Sequence, residues 1–196
     1  MARSKVQARG TRIRLKDGAS DRLVGWTGLD EADLVALREA DDLKGIADEV
    51  AERFYGAVLS DPGLKAIIEK NSSLDRLKGT LVSYFHSLFA GTYDDATAGG
   101  RRRIGQVHDR IGLPLGAYLG AFAEIQDVVV AHAVKRYRRD PERLHRVISA
   151  FLRVAQTDMS LVADSFIGAR EHEIGTLTET LAATSEEVAA QSEEAN

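Results

Sequence analysis

The sequence contains no cysteine, which excludes disulfide bonds, thiolate metal sites and a cysteine nucleophile. No uninterrupted apolar stretch approaches the roughly 18 residues of a membrane-spanning helix. The basic first residues do not lead into the apolar region of a secretory signal. Positive charge is not in excess either, since the formal net charge of −4 argues against a general nucleic-acid grip. We therefore expect a cytoplasmic protein with no membrane span and no nucleic-acid partner.

Charge is distributed unevenly between the two ends of the chain. Residues 1–22 hold seven Lys or Arg against two Asp, whereas the residues after Arg170 hold seven Glu and no Lys or Arg. The first segment has little hydrophobic periodicity. We predict that residues 1–23 form a basic N-terminal arm that is mobile or loosely docked, and that both ends are solvated rather than bound to nucleic acid.

The hydrophobic pattern is helical throughout, and no segment alternates with period two over a convincing length. Hydrophobic residues make up 44% of the chain, enough for a substantial core. The three prolines, at 62, 114 and 141, each stand where a helix can begin. Ser72 and Asp75 have the spacing of a capping box, and Gly99-Gly100 predicts a flexible loop. The pattern predicts an all-α protein of about seven or eight helices, packed as a globin or as a bundle.

The last residues follow a different rule. Hydrophobic or small polar residues from Ile174 to Gln191 step by 3, 4, 3, 4 and 3, which is a weak heptad. We predict that residues 171–196 are a linker and the beginning of a signalling coiled coil, and that the chain forms a homodimer through its last helices.

Among the five histidines, only His108 stands on a clearly apolar helix face, with Ile104, Val107 and Ile111. A lone imidazole in an apolar wall is how one side of a haem iron is held, and it is also how a buried core histidine looks. Spacing alone leaves both interpretations open.

The segment around His108 resembles the proximal-histidine motif of globin-coupled sensors. Residues 103–114 read Arg-Ile-Gly-Gln-Val-His-Asp-Arg-Ile-Gly-Leu-Pro, close to the family pattern Ile-Gly-x-x-His-x-Arg-Ile-Gly-Leu, and the aromatic Tyr118 follows. Phe54-Tyr55 is similar to the family's distal pair, and residues 72–81 are similar to its distal helix. The resemblance covers residues 24–170, and residues 182–189 resemble the start of methyl-accepting chemotaxis helices.

This resemblance implies a globin-like sensor domain over residues 24–170 that binds haem b (iron protoporphyrin IX). His108 would be the axial ligand, with its other ring nitrogen bonded to a backbone carbonyl or a nearby oxygen. Tyr55 and Thr80 would donate hydrogen bonds on the opposite side. The remaining residues implied for the cofactor site are Phe54, Leu77, Leu81, Val107, Ile111, Leu115 and Tyr118.

The implied function is that of a haem-based gas sensor, not an enzyme. It would bind O2, with CO and NO as other candidate ligands, and control a C-terminal signalling domain of the chemotaxis transducer type, in aerotaxis. The alternative is a haem-free sensor globin that acts as a dimeric signalling or adaptor module.

Overall fold

The computed structural model describes residues 10–194, and within this range the chain is almost entirely helical. The helices are α1 (Gly18–Thr27), α2 (Glu31–Glu39), a 3-10 helix (Asp41–Ile46), α3 (Ala47–Leu59), α4 (Pro62–Asn71), α5 (Leu74–Leu88), α6 (Asp95–Arg110), α7 (Leu115–Tyr137) and α8 (Pro141–Glu194). The β-type pairing in this range is one isolated antiparallel bridge between Arg12 and Asp30. The prediction of an all-α protein of seven or eight helices is confirmed for this part of the chain.

Helix starts follow the predicted proline positions. Pro62 and Pro141 are the first residues of α4 and α8, and Pro114 immediately precedes α7. The predicted capping box at Ser72 is wrong. The backbone N–H of Ser72 closes α4 by donating to the carbonyl of Ile68, so that α5 begins after Ser73, whose side chain makes no capping hydrogen bond.

The predicted loop at Gly99-Gly100 is also wrong, because α6 runs unbroken through both glycines. Asp94 caps this helix by accepting hydrogen bonds from the backbone N–H and the hydroxyl of Thr97. Ala98 and Arg101 are buried on its inner face. This packing outweighs a glycine penalty of about 0.5–1 kcal/mol at each position.

The N-terminal segment from residue 10 onward packs against the helical core. Ile13 and Leu15 are buried in the core, and the backbone N–H groups of Gly10 and Leu15 donate to Asp30 and Asp21. The expectation of a loose arm over residues 1–23 is therefore wrong for residues 10–23, because apolar side chains within the basic segment supply the anchor. Residues 1–9 lie outside the described residues.

The long helix α8 passes through the core and then leaves it. It packs against α1, α2, α6 and α7, and its residues Phe151, Leu161 and Phe166 are buried. Beyond Arg170 the described side chains are exposed, including Ile174, Leu177 and Leu181 of the predicted heptad. The backbone shows no break between the core and this extension. No helix in residues 10–194 combines the length and the apolar composition needed to cross a bilayer.

Candidate functional site

The orientation of His108 is set by its own helix. His108 lies in the last turn of α6, and its Nδ1 atom is 2.8 Å from the carbonyl oxygen of Ile104. Because a carbonyl oxygen only accepts, this contact assigns the proton to Nδ1. The Nε2 atom then keeps its lone pair, so the ring is prepared to bind an electron-pair acceptor through that atom.

The surroundings of His108 also favour its neutral form. Burial lowers the pKa of His108, because the charged imidazolium is poorly solvated there, and the hydrogen bond to the Ile104 carbonyl opposes this shift. Only the neutral imidazole binds a metal ion. At neutral pH the ring is therefore in its ligating form.

A tight turn after α6 brings an aromatic wall against the His108 ring. Gly112 has a positive φ of 76°, and the backbone N–H of Leu113 donates to the carbonyl of His108. Pro114 then starts α7, which places the Tyr118 ring 5.2 Å from the His108 ring, edge to face. In the Gly-Leu-Pro sequence, Gly112 thus provides the positive φ of the turn, and Pro114 favours the start of the next helix.

The predicted distal residues gather around α3 and α5, which pack against each other. Tyr55 and Leu81 belong to the buried core, and Phe54, Leu77 and Tyr118 pack on the same cluster. The Phe54 and Tyr55 rings are in edge-to-face contact at 5.0 Å.

The Tyr55 hydroxyl is a ready donor. Burial raises the pKa of Tyr55 to about 12, so it keeps its proton at any physiological pH.

Other predicted residues are less enclosed. The Thr80 hydroxyl is exposed and donates to the carbonyl of Arg76, one turn earlier on α5. Val107 is 41% exposed, whereas Ile111 and Leu115 are half-buried. The structure joins His108 to Tyr118 and joins the distal residues to the common core, but it leaves the Thr80 hydroxyl occupied by its own helix.

A buried polar cluster next to this region escaped the sequence analysis. Asp158 of α8 is fully buried and accepts hydrogen bonds from the hydroxyls of Tyr84 and Tyr93. The guanidinium of Arg101 forms a salt bridge with the same carboxylate and stacks over the Tyr84 ring. The one feature of the sequence that could have indicated this cluster is Asp158 itself, an acidic residue among the apolar positions of the last helix.

The ionisation of this cluster follows from its burial. Burial raises the pKa of the Asp158 carboxyl, and the Arg101 charge with the tyrosine hydroxyls opposes that shift. Burial and the Asp158 charge raise the pKa of Tyr84. The Tyr84 hydroxyl therefore stays protonated and donates to the Asp158 carboxylate.

Comparison with known proteins confirms the predicted globin-like fold and gives a family match for the sequence. Residues 18–172 match the sequence model of the Protoglobin family. A heme-based aerotactic transducer of Halobacterium salinarum is 27% identical over 166 residues, which covers 80% of this chain and 34% of that protein. The chain thus spans about a third of that relative. The globin domain of a Geobacter sulfurreducens globin-coupled sensor aligns with a TM-score of 0.69 at 22% identity, covering 74% of this chain and 95% of that domain.

Proposed function

We propose that this chain, which belongs to the protoglobin family, is the haem-binding gas-sensor domain of a signalling protein. The observation that carries the proposal is the state of His108, which is neutral, half-buried and fixed through Nδ1 so that Nε2 is available. The name of the Halobacterium relative, a heme-based aerotactic transducer, supports the same function.

The residues present fit haem b better than they fit a bare metal ion. Among the side chains that the structure describes, no group of three or more His, Asp or Glu is placed to hold an ion. A single imidazole suits a macrocycle that brings its own equatorial nitrogens. When bound, haem b supplies an iron centre to which a diatomic gas binds reversibly. His108 would hold it on one side, and the apolar side chains of Val107, Ile111, Leu115, Leu77 and Leu81 would contact it.

The polar side chains would set which gas is preferred. Tyr55 carries a protonated hydroxyl with an apolar wall around it. A hydroxyl donor stabilises the more polar ligand O2 over the less polar CO, by about 1.5–3 kcal/mol for a partly charged acceptor. We assign the main donor role to Tyr55. Thr80 is a second donor only after its hydroxyl rotates away from the Arg76 carbonyl.

The output of the sensor would pass through α8. This helix extends from the core to Glu194 and exposes Ile174, Leu177 and Leu181 at heptad spacing. We propose that these residues pair two chains into a homodimer and lead into a signalling domain, a chemotaxis transducer by analogy with the Halobacterium relative. In this role the protein transmits a signal and catalyses no reaction, and we place it in the cytoplasm.

Reconstitution with haemin tests the proposal. We expect the purified chain to take up one haem per chain, to show a sharp Soret band, and to change its ferrous spectrum reversibly with O2 and with CO. A chain that stays colourless while remaining folded and dimeric supports the alternative, a haem-free adaptor globin. Consumption of NO driven by NADH would instead indicate an enzyme.

A further inference from the structure

The ion pair between Arg101 of α6 and Asp158 of α8 lies outside the set of residues that we assign to the cofactor. The Nε atom of Arg101 lies 2.8 Å from Oδ2 of Asp158. The hydroxyl of Tyr84 donates to the same oxygen at 2.8 Å, and the hydroxyl of Tyr93 donates to Oδ1 at 2.7 Å. A buried ion pair adds little net stability compared with apolar residues of the same volume. We therefore look for the role of this ion pair in the elements that it connects and not in its contribution to stability.

Arg101 and His108 stand on opposite sides of a backbone contact between α6 and α8. A Cβ atom at Gly105 would lie 2.5 Å from the carbonyl oxygen of Val162 and would overlap the hydroxyl oxygen of Ser165. The two helices therefore touch at Gly105. Arg101 is four residues before this point and His108 is three residues after it, or about 6 Å and 4.5 Å along the axis. Because a helix is stiff, a tilt that moves the His108 end of α6 about Gly105 moves the Arg101 end the other way.

A second connection runs from His108 to the same carboxylate through aromatic rings. The Tyr118 ring touches the His108 ring, and Phe122 touches Tyr118 at a centroid distance of 5.6 Å. The Tyr84 ring meets Phe122 at 6.2 Å, and its hydroxyl ends on Asp158. Close-packed rings transmit a displacement because no void absorbs it.

We propose that Asp158 is the residue through which the position of His108 is communicated to α8. The proposal rests on the proposed function, since it requires a gas-dependent movement of His108. Both connections from His108 converge on Asp158, and α8 continues from Asp158 to the exposed heptad residues. Asp158 touches neither His108 nor the residues assigned to the cofactor in the contacts described above, so it acts as a positioning residue.

Amide hydrogen exchange along α8 tests this role in the haem-loaded, full-length chain. The measurement compares peptides covering residues 159–181 in ferrous protein with and without O2. We expect O2 to change exchange by about fivefold or more in the wild type, the lower end of typical allosteric couplings. Asp158→Asn should reduce this change to about twofold or less, while the protein still takes up haem and O2.

Two further variants separate coupling from stability. The double variant Arg101→Gln with Asp158→Asn removes both charges, so it leaves no unpaired buried cation, and it should lose the O2 response as well. Asp164→Asn is the matched control, because Asp164 also joins α8 to α6, through Arg102 at 2.8 Å, but is exposed. It should keep the full response.

A merely structural Asp158 would lower the urea midpoint of the variant and leave its O2-dependent exchange at the wild-type size. That result overturns the inference, as does a wild-type chain that binds O2 without any change in α8. The first result leaves the proposed function intact. The second leaves haem and gas binding intact but removes the proposed transmission through α8. A wild-type chain that takes up no haem overturns the proposed function and this inference together.

Discussion

The Nδ1 atom of His108 is tied to the carbonyl oxygen of Ile104, one turn earlier on α6, at 2.8 Å. The orientation of the ring is therefore fixed by the backbone of its own helix and not by a neighbouring side chain. A ligand that pulls on Nε2 therefore also pulls on α6. This is why the contact of α6 with α8 at Gly105 matters for signalling as well as for packing.

Gly105→Ala should separate α6 from α8. The added methyl group would overlap the Val162 carbonyl and the Ser165 hydroxyl, so we expect a loss of about 1–3 kcal/mol in the free energy of unfolding, measured with urea. Gly100→Ala is the matched control, since Gly100 lies in the same helix with no neighbour within 4 Å of an added Cβ. It should stabilise the protein by about 0.5–1 kcal/mol. Equal effects of the two substitutions would show that the helices do not touch at Gly105.

Tyr55→Phe should weaken O2 binding by about tenfold to a hundredfold and CO binding much less, because it removes a hydrogen-bond donor of about 1.5–3 kcal/mol. Stopped-flow association and dissociation rates for both gases give the two affinities. Tyr137→Phe is the control, because Tyr137 is also buried but its hydroxyl donates to Asp42 at the far end of α7. Parallel losses of O2 and CO affinity in Tyr55→Phe would remove the donor role.

Alkaline titration should show that no tyrosine ionises near its ordinary pKa of about 10 in the folded protein. The folded pKa of all five tyrosines is raised, to about 12 for Tyr55 and for Tyr137, mainly because burial disfavours the phenolate. For Tyr55 and Tyr137 the folded pKa exceeds the unfolded one. Their contribution to the free energy of unfolding is therefore complete below pH 10 and is lost as the pH rises through 12.

Phenolate absorbance should accordingly appear together with the loss of helical circular dichroism, and near pH 10 in urea. A tyrosine that ionises near pH 10 while the helices remain intact would refute the described burial.

Leu177→Glu should weaken self-association. Leu177 is 62% exposed in the single chain and stands between Ile174 and Leu181 in the heptad. Losing one buried leucine per chain costs about 1.5–3 kcal/mol, so the dimer dissociation constant should rise at least about tenfold in sedimentation equilibrium. Thr178→Glu, one position off the seam, should leave it unchanged. Monomeric wild-type protein would contradict dimerisation through α8.

The sequence was most informative where one local pattern decides the structure. The start of α7 at Pro114 depends on residues within a few turns, and it was predicted. The same holds for the expectation that the second ring nitrogen of His108 is bonded, for which the structure identifies the Ile104 carbonyl.

Local pattern failed where distant residues decide the outcome. The glycine pair in α6 is helical because its flanking residues are buried against the core, which spacing does not reveal. The Asp158 cluster joins Tyr84 and Tyr93 to a carboxylate 74 and 65 positions away. An acid in an apolar stripe signals only that some partner must exist.

The absorption spectrum of His108→Ala, reconstituted with haemin beside the wild type, tests the central claim most directly. The control is His145→Ala, which removes an exposed histidine of α8. We predict that the wild type and His145→Ala share one ferrous Soret band that responds to O2, that His108→Ala loses it, and that added imidazole restores it. A ferrous spectrum in His108→Ala identical to that of the wild type would contradict the assignment of His108 as the axial ligand.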